Sequence, residues 1–270
     1  MHGSAIILKP DFPSSWLRPQ WPAPTHVRAV VTDRHGGVSE QPYDSMNLGD
    51  HVGDFPANVL SNRARLQAAV GCRPVFLHQV HGVECLVIDE STPDNEQADA
   101  SMSGVAGVAC TIMVADCLPV LLCDAGGRWV AAAHAGWRGL AGRSGLGVLE
   151  KLLASCLPLH NSGSDILVWL GPCIGPLAFE VGPEVRAAFC DGDSQAQSLF
   201  QPVGQGKFLA DLAGLARLRL QRLGIERIFG NDSQPAWCTA TQTSRFFSHR
   251  RDSRVLGHSG RMAACIWLEQ

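Results

Sequence analysis

CTIMVADCLPVLLCDAGGRWVAAAHAGWRG, residues 110–139, holds two apolar runs that each stop on residues able to do chemistry. The first stops at Ala115-Asp116-Cys117, and the second, from Arg128, stops at His134-Ala135-Gly136-Trp137-Arg138-Gly139. The runs are short, rich in apolar residues and broken by Asp, Pro and Gly-Gly, a pattern of buried strands and not of one long helix. They predict strands over 107–114, 118–124 and 128–133. Residues 105–123 approach the length of a membrane span, but Asp116 and Pro119 fall inside it, and a charge near the centre of a spanning helix is costly. A thiol and an imidazole seventeen positions apart are thus carried to the ends of two buried segments, with a carboxylate and a guanidinium beside them. That is the layout of an active site rather than of a core.

Outward from this stretch the chain alternates helices and strands. On its N-terminal side, residues 10–24 are proline-rich with two tryptophans, which predicts an extended arm over 1–24 laid on the body. Residues 27–32 predict a strand, followed by a glycine loop at 33–39 whose backbone amides can approach an anion. Residues 56–70 predict a helix, with Pro56 at its start and Gly71 past its end. Two strands, 74–80 and 83–89, are joined through His81-Gly82. On the C-terminal side, 140–156 predicts a glycine-containing helix and 165–170 a strand, making a βαβ unit with 128–133. Helices over 182–190 and 209–223, a strand over 225–229, a loop at 246–252 and a last strand over 261–268 follow. No linker, repeat or low-complexity segment interrupts this order, so one α/β domain over 1–270 is expected.

Composition narrows the function classes. A chain of 270 residues buries roughly 70–75% of its unfolded surface and needs no staples. Its net charge is −3, with no run of Lys or Arg, so the electrostatic footprint of a nucleic-acid partner is missing. The ten cysteines include no C-x-x-C pair, and Cys110, Cys117, Cys123, Cys156 and Cys265 sit in apolar company, which predicts buried free thiols in a reducing compartment. The first 24 residues lack the pattern of a signal peptide. A cytoplasmic protein without a membrane partner is expected.

Three residues combine into candidate chemistry. His81, Cys117 and His134 each stand at the edge of a predicted strand, and two imidazoles with one thiolate suit zinc while leaving the fourth tetrahedral position open. The same Cys117 and His134 also read as a metal-free nucleophile and its base, and spacing does not separate these readings from three satisfied polar residues at strand ends. Asp116 and Arg138 flank the trio. They read equally as a buried ion pair or as catalytic groups, Asp116 orienting a ligand or acting on a proton and Arg138 holding an anionic oxygen. Arg34 and Arg251 lie in polar loops, where a solvated charge is the commoner outcome. No phosphate-binding G-x-x-x-x-G-K-[ST] is present, and Gly145-Leu146-Gly147 lacks the third glycine of a dinucleotide fingerprint, so no nucleotide cofactor is implied.

HQVHG at 78–82, ADCLP at 115–119, HAGWRG at 134–139, GPCIG at 171–175 and FFSHRRD at 246–252 together resemble the YfiH family, also called laccase-domain or polyphenol-oxidase-like proteins. RHGGVS at 34–39, ADA at 98–100, DL at 211–212, CT at 238–239 and GR at 260–261 fit as well, so the resemblance runs from Thr32 to Trp267. It implies a four-layer α/β/β/α fold with a duplicated βαβ-type motif, similar to CNF-type toxin cysteine hydrolases. It also implies a zinc ion held by His81, Cys117 and His134. The implied activity is phosphorolysis of adenosine, inosine and S-methyl-5′-thioadenosine with deamination of adenosine; the rival is a peptidoglycan-editing amidase acting on a cell-wall precursor. On the nucleoside assignment, Cys117, Asp116 and Arg138 are expected in catalysis, Arg34, Gln79 and Arg251 beside substrate or phosphate, and Arg34 and Arg138 as the holders of the phosphate itself. The partners are then small molecules, a purine nucleoside and phosphate, and the sequence does not set the oligomeric state.

Overall fold

Two sheets stack face to face because the central apolar runs bury both of their surfaces. The computed structural model describes residues 12–156 and 165–269. Its first half runs β1 (Val27–Val31), α1 (Pro56–Val70), β2 (Arg73–Phe76), β3 (Cys85–Val87), β4 (Ala100–Ser103), β5 (Val108–Val114), β6 (Leu118–Asp124) and β7 (Val130–Ala135). There follow α2 (Trp137–Ala141), α3 (Val148–Cys156), β8 (Ile166–Leu170), β9 (Glu180–Val181), α4 (Pro183–Cys190), β10 (Phe200–Gly204) and β11 (Lys207–Ala210). The chain ends with α5 (Leu212–Arg222), β12 (Ile228–Gly230), α6 (His249–Leu256) and β13 (Met262–Leu268).

One sheet has the order β1-β13-β5-β2, the other β12-β8-β6-β7-β4-β3, and a small antiparallel sheet is β10-β11-β9. Side chains alternate along each strand. In β5, Val108, Cys110, Ile112 and Val114 face the space between the large sheets, where they meet Leu121 and Cys123 of β6, Val130 and Ala132 of β7, and Trp169 of β8. Ala109 and Met113 face the other way, towards Leu66 and Val70 of α1 and towards Phe12 and Trp16. The outer face of the six-stranded sheet, with Val120, Leu122, Ala131 and Ala133, is covered by Leu149, Leu152 and Leu153 of α3 and Leu215, Ala216 and Leu220 of α5. Periodicity of two on both faces therefore explains why these strands read as continuous apolar runs.

Several expectations are corrected. The helix expected at 140–156 is two helices, because Gly142, at φ 63°, and Gly147 turn the chain so tightly that a Cβ on Gly142 would meet the Leu146 carbonyl oxygen. The helix expected from 209 starts at Leu212, since β11 pairs with β9 and β10 first. The loop expected at 246–252 turns into α6 at His249, capped by the Ser248 hydroxyl, which accepts from the Arg251 N–H. The strands expected over 74–80 and 83–89 shorten to β2 and β3, and β4, Ala-Ser-Met-Ser, alternates as a strand should, with Ala100 and Met102 in the outer core, but it is only four residues long and has no β-branched residue to mark it. β7 and β8 are parallel through the expected crossover, but β6 lies between them, antiparallel to each. Of the expected arm, residues 1–11 lie outside the described residues. Phe12 and Trp16 pack on the outer face of the four-stranded sheet, and Leu17 bridges to Val31.

Candidate metal centre and its cavity

The antiparallel pairing of β6 with β7 sets Leu118 against Ala135 and Pro119 against His134. The start of one strand therefore lies beside the end of the other, and Cys117 and His134 become neighbours. Residues 115–117 carry the chain from β5 in one sheet to β6 in the other. Asp116 makes that passage in the left-handed region, at φ 86°, and its carboxylate accepts from Thr239 Oγ1 at 2.5 Å, Ser248 Oγ at 3.0 Å and the Arg250 N–H at 2.6 Å. Gly136, next after β7, admits the site: a Cβ there would lie 2.9 Å from Cys117 Sγ and 2.9 Å from His81 Cδ2.

Asp99 holds the two histidines. One carboxylate oxygen accepts from His134 Nδ1 at 2.8 Å and from the His81 N–H at 2.9 Å; the other accepts from the N–H groups of Val80 and Gly82 at 3.1 and 2.7 Å. This fixes the loop of His81, itself at φ 60°, and leaves His134 Nε2 free to face the thiol. Burial alone would raise the Cys117 thiol, but the His134 charge and hydrogen bonds from His134 and His81 outweigh it and bring it down to about 6. For His134, burial opposes protonation, while the Cys117 thiolate and the Asp99 carboxylate prevail and lift it to about 9. Cys117 Sγ and His81 Nε2 are 3.7 Å apart, and one donor atom from each of His81, Cys117 and His134 lies within 4.8 Å of the others. Bonds of about 2.0–2.3 Å to a tetrahedral zinc imply donor separations of roughly 3.3–3.6 Å, so a contraction of at most about 1.5 Å brings all three on to one ion. The carboxylate behind His134 is the partner that metal-bound imidazoles use to fix their tautomer.

The trio opens on a cavity of about 410 Å³, also lined by His51, Gln79, Met113, Asp116, Arg138, Ile174, Phe179, His249, Arg250 and Arg261. Of the residues the sequence singled out, His81, Cys117, His134, Asp116, Arg138 and Gln79 meet here. Asp116 and Arg138 form no ion pair: the carboxylate is taken up by the three donors above, and the guanidinium lies over the Trp137 ring at 4.5 Å. The Gln79 amide is engaged with the Met113 backbone in both directions, at 2.9 and 2.7 Å, extending the end of β5. Arg34 and Arg251 are not brought to the cavity, contrary to expectation. Arg34 binds the Asp44 carbonyl and carboxylate and the Thr243 carbonyl; Arg251 binds the carbonyls of Thr239, Ala240 and Phe246 and the Asp252 carboxylate. Each is spent on joining loops. Asp99, His51, His249, Arg250 and Arg261 take their places at the site without having been singled out by residue chemistry. The only traces of them in the sequence are Ala98-Asp99-Ala100, the run at 246–252 and Gly260-Arg261.

A family described as multi-copper polyphenol oxidoreductase laccase matches residues 28–269. A purine nucleoside phosphorylase of Pseudomonas aeruginosa is 51% identical over 95% of this chain and 99% of its own length, and purine nucleoside phosphorylase YfiH of Escherichia coli is 49% identical over 94% and 99%. The chain belongs to the YfiH family. A crystal structure of a Neisseria meningitidis protein matches it with a TM-score of 0.86 at 43% identity, covering 95% of this chain and 100% of that one. That of Bacillus licheniformis YfiH matches at 0.82 and 27%, covering 90% and 93%. The mixed α/β architecture with several sheets is thus that of YfiH-family structures. The motifs at the cavity are the ones on which the family resemblance rests.

Proposed function

We propose that the protein is a zinc-dependent purine nucleoside phosphorylase that acts on adenosine, inosine and S-methyl-5′-thioadenosine and also deaminates adenosine. The observation that carries this reading is the Asp99-backed trio of His81, Cys117 and His134 at the floor of the cavity, in a chain about half identical to relatives named purine nucleoside phosphorylases. His81, Cys117 and His134 would hold the zinc ion, which would supply Lewis acidity when bound. The chain's own residues do the rest. Asp99 sets the His134 tautomer, Asp116 ties the Cys117 turn to the start of α6, and Phe179, Ile174 and Met113 give the cavity an apolar wall for a purine. In phosphorolysis the bond from sugar C1′ to the base nitrogen breaks, its electron pair leaving on the base, which takes up a proton, while a phosphate oxygen bonds to C1′. Inosine should yield hypoxanthine and ribose 1-phosphate only when phosphate is present, and adenosine should also yield inosine. Base release that ignores phosphate contradicts the phosphorylase, and inactivity on nucleosides with release of an amino acid from a cell-wall precursor selects the amidase.

A second reading is favoured by one observation, the line Cys117–His134–Asp99. A thiol brought down to about 6 beside an imidazole raised to about 9, with a carboxylate behind it, is the arrangement of a nucleophile, its base and the base's orienter. This reading keeps the likeness to toxin-type cysteine hydrolases. Chelation separates the two: activity lost with a strong chelator and restored by zinc supports the metal, whereas verified metal-free protein with full activity supports the hydrolase.

A further inference from the structure

The cavity gathers three guanidinium groups against one carboxylate, Asp116, and the Cys117 thiol. Arg138 follows β7, Arg250 stands in the first turn of α6 and Arg261 immediately precedes β13, yet all three reach one cavity in a chain whose net charge is −3. Arg261 donates through Nη1 to the carbonyls of Ser259 and Gly260, at 2.9 and 3.1 Å; among the described residues neither its Nε nor its Nη2 has an acceptor, and no carboxylate pairs with it. Arg250 places one nitrogen on the Glu180 carbonyl at 3.0 Å, and the Arg138 guanidinium donates to no protein group among the described residues. Asp116 is the sole carboxylate among the lining residues, and its oxygens already accept three hydrogen bonds. A guanidinium withdrawn from bulk water without a counter-charge is costly, and its planar fork matches the edge of a tetrahedral oxyanion.

We infer that Arg261, with Arg250 and Arg138, forms the binding site for the anionic co-substrate, a tetrahedral oxyanion of the phosphate class, beside the His81–Cys117–His134 trio. Arg261 is the anchor, held on two carbonyls with the rest of its fork open to the cavity. Arg250 and Arg138, on more exposed stems, close on the anion. The assignment rests on the phosphorolysis reading for the identity of the anion, and not for the existence of the site. Of the residues expected beside phosphate it keeps Arg138, replaces Arg34 and Arg251, and adds Arg250 and Arg261.

The test uses the zinc-loaded full chain. Direct binding of inorganic phosphate and of inert sulfate is measured by calorimetry for the wild type, Arg261→Met, Arg261→Lys and Arg250→Met, with zinc content checked in each. Where inosine is turned over, KM is measured separately for phosphate and for inosine. Loss of charge-assisted hydrogen bonds should raise the phosphate KM and weaken anion binding by about tenfold or more in Arg261→Met. The effect should be smaller in Arg250→Met and only partly relieved in Arg261→Lys, with the inosine KM and the zinc content little changed. If Arg261→Met does not fold, the lysine and Arg250 variants carry the same comparison. Wild-type phosphate binding and phosphate KM in the folded variants overturn the site, even with phosphorolysis intact. Absence of phosphorolysis alongside anion binding that Arg261→Met abolishes retains the site and removes the phosphorylase reading. Absence of anion binding by the wild type overturns it.

Discussion

At the scale of single residues, the site depends on two positions that never touch the reaction. Asp99 accepts four hydrogen bonds within the His81 loop and from His134, so Asp99→Asn puts a donor where an acceptor is needed. Zinc affinity should fall by about 10–100-fold, measured by competition with a chelating dye. Unchanged affinity would show that the carboxylate orients no ligand. Gly136 is required for space and not for its dihedral freedom, because its φ of −67° is open to any residue. Gly136→Ala should push Cys117 and His81 apart, leaving less than one zinc per chain and activity down by about tenfold or more, with the melting temperature shifted by no more than about 4 °C. A fully loaded, active Gly136→Ala protein would sink the close-approach argument. The trio was legible in the sequence because each member ends an apolar run. Asp99 and Arg261 were not, since their partners are long-range and a lone Asp or Arg in a loop looks like any solvated charge.

At the scale of elements, the β6–β7 hairpin does the positioning, and a slip of one residue would send His134 to the opposite face of the sheet. Its turn is built on Asp124, which is buried and accepts from the N–H groups of Gly126, Arg128 and Trp129 and from Arg128 Nε. Burial opposes the charge on Asp124, but the Arg128 side chain and the Trp129 and Arg128 N–H groups outweigh it and lower the carboxyl below its usual value. A carboxyl lowered by folding adds stability above its unfolded value, near 3.9, and that contribution is lost as pH falls through the lowered folded value. Asp124→Asn should therefore cost about 1–3 kcal/mol in urea unfolding at pH 7, with the difference from wild type shrinking below about pH 4. A difference that stays constant with pH would contradict the assignment. The hairpin was readable from sequence for the same reason that it works: Asp-Ala-Gly-Gly breaks two runs of Val, Leu and Ala. The expected 118–124 and 56–70 coincide with β6 and α1, whose ends are marked by Pro and Gly. β4 and β11 were not readable, because each is four residues long without a β-branched residue, and pairing with β10 and β9 took Leu209 and Ala210 out of the helix that their apolar character suggests.

At the scale of the whole molecule, the family's description raises copper chemistry, and the architecture answers with a number. Multicopper oxidases bind four coppers through many histidines, including H-x-H pairs. This chain has ten histidines and no such pair, and among the described residues His81, Cys117 and His134 are the one group of three or more potential ligands close enough to share an ion. The reason is topological: two passages between the sheets, from β2 to β3 with His81 and from β5 to β6 with Cys117, and one hairpin with His134 bring donors together, and the outer faces of both sheets are given to apolar helix packing. Metal identity alone does not decide the matter, since copper(II) outcompetes zinc at most nitrogen and sulfur sites and two imidazoles with a thiolate also suit a mononuclear copper. Stoichiometry does. The purified protein should carry one metal ion per chain, about one zinc when expressed in zinc-containing medium, and loading with excess copper(II) should saturate near one ion. Double replacement of His81 and His134 by alanine should abolish that equivalent. Two or more tightly held coppers per chain, with an intense blue absorption and oxidation of phenols, would overturn the single-centre architecture, and full zinc content in the double variant would place the ion elsewhere.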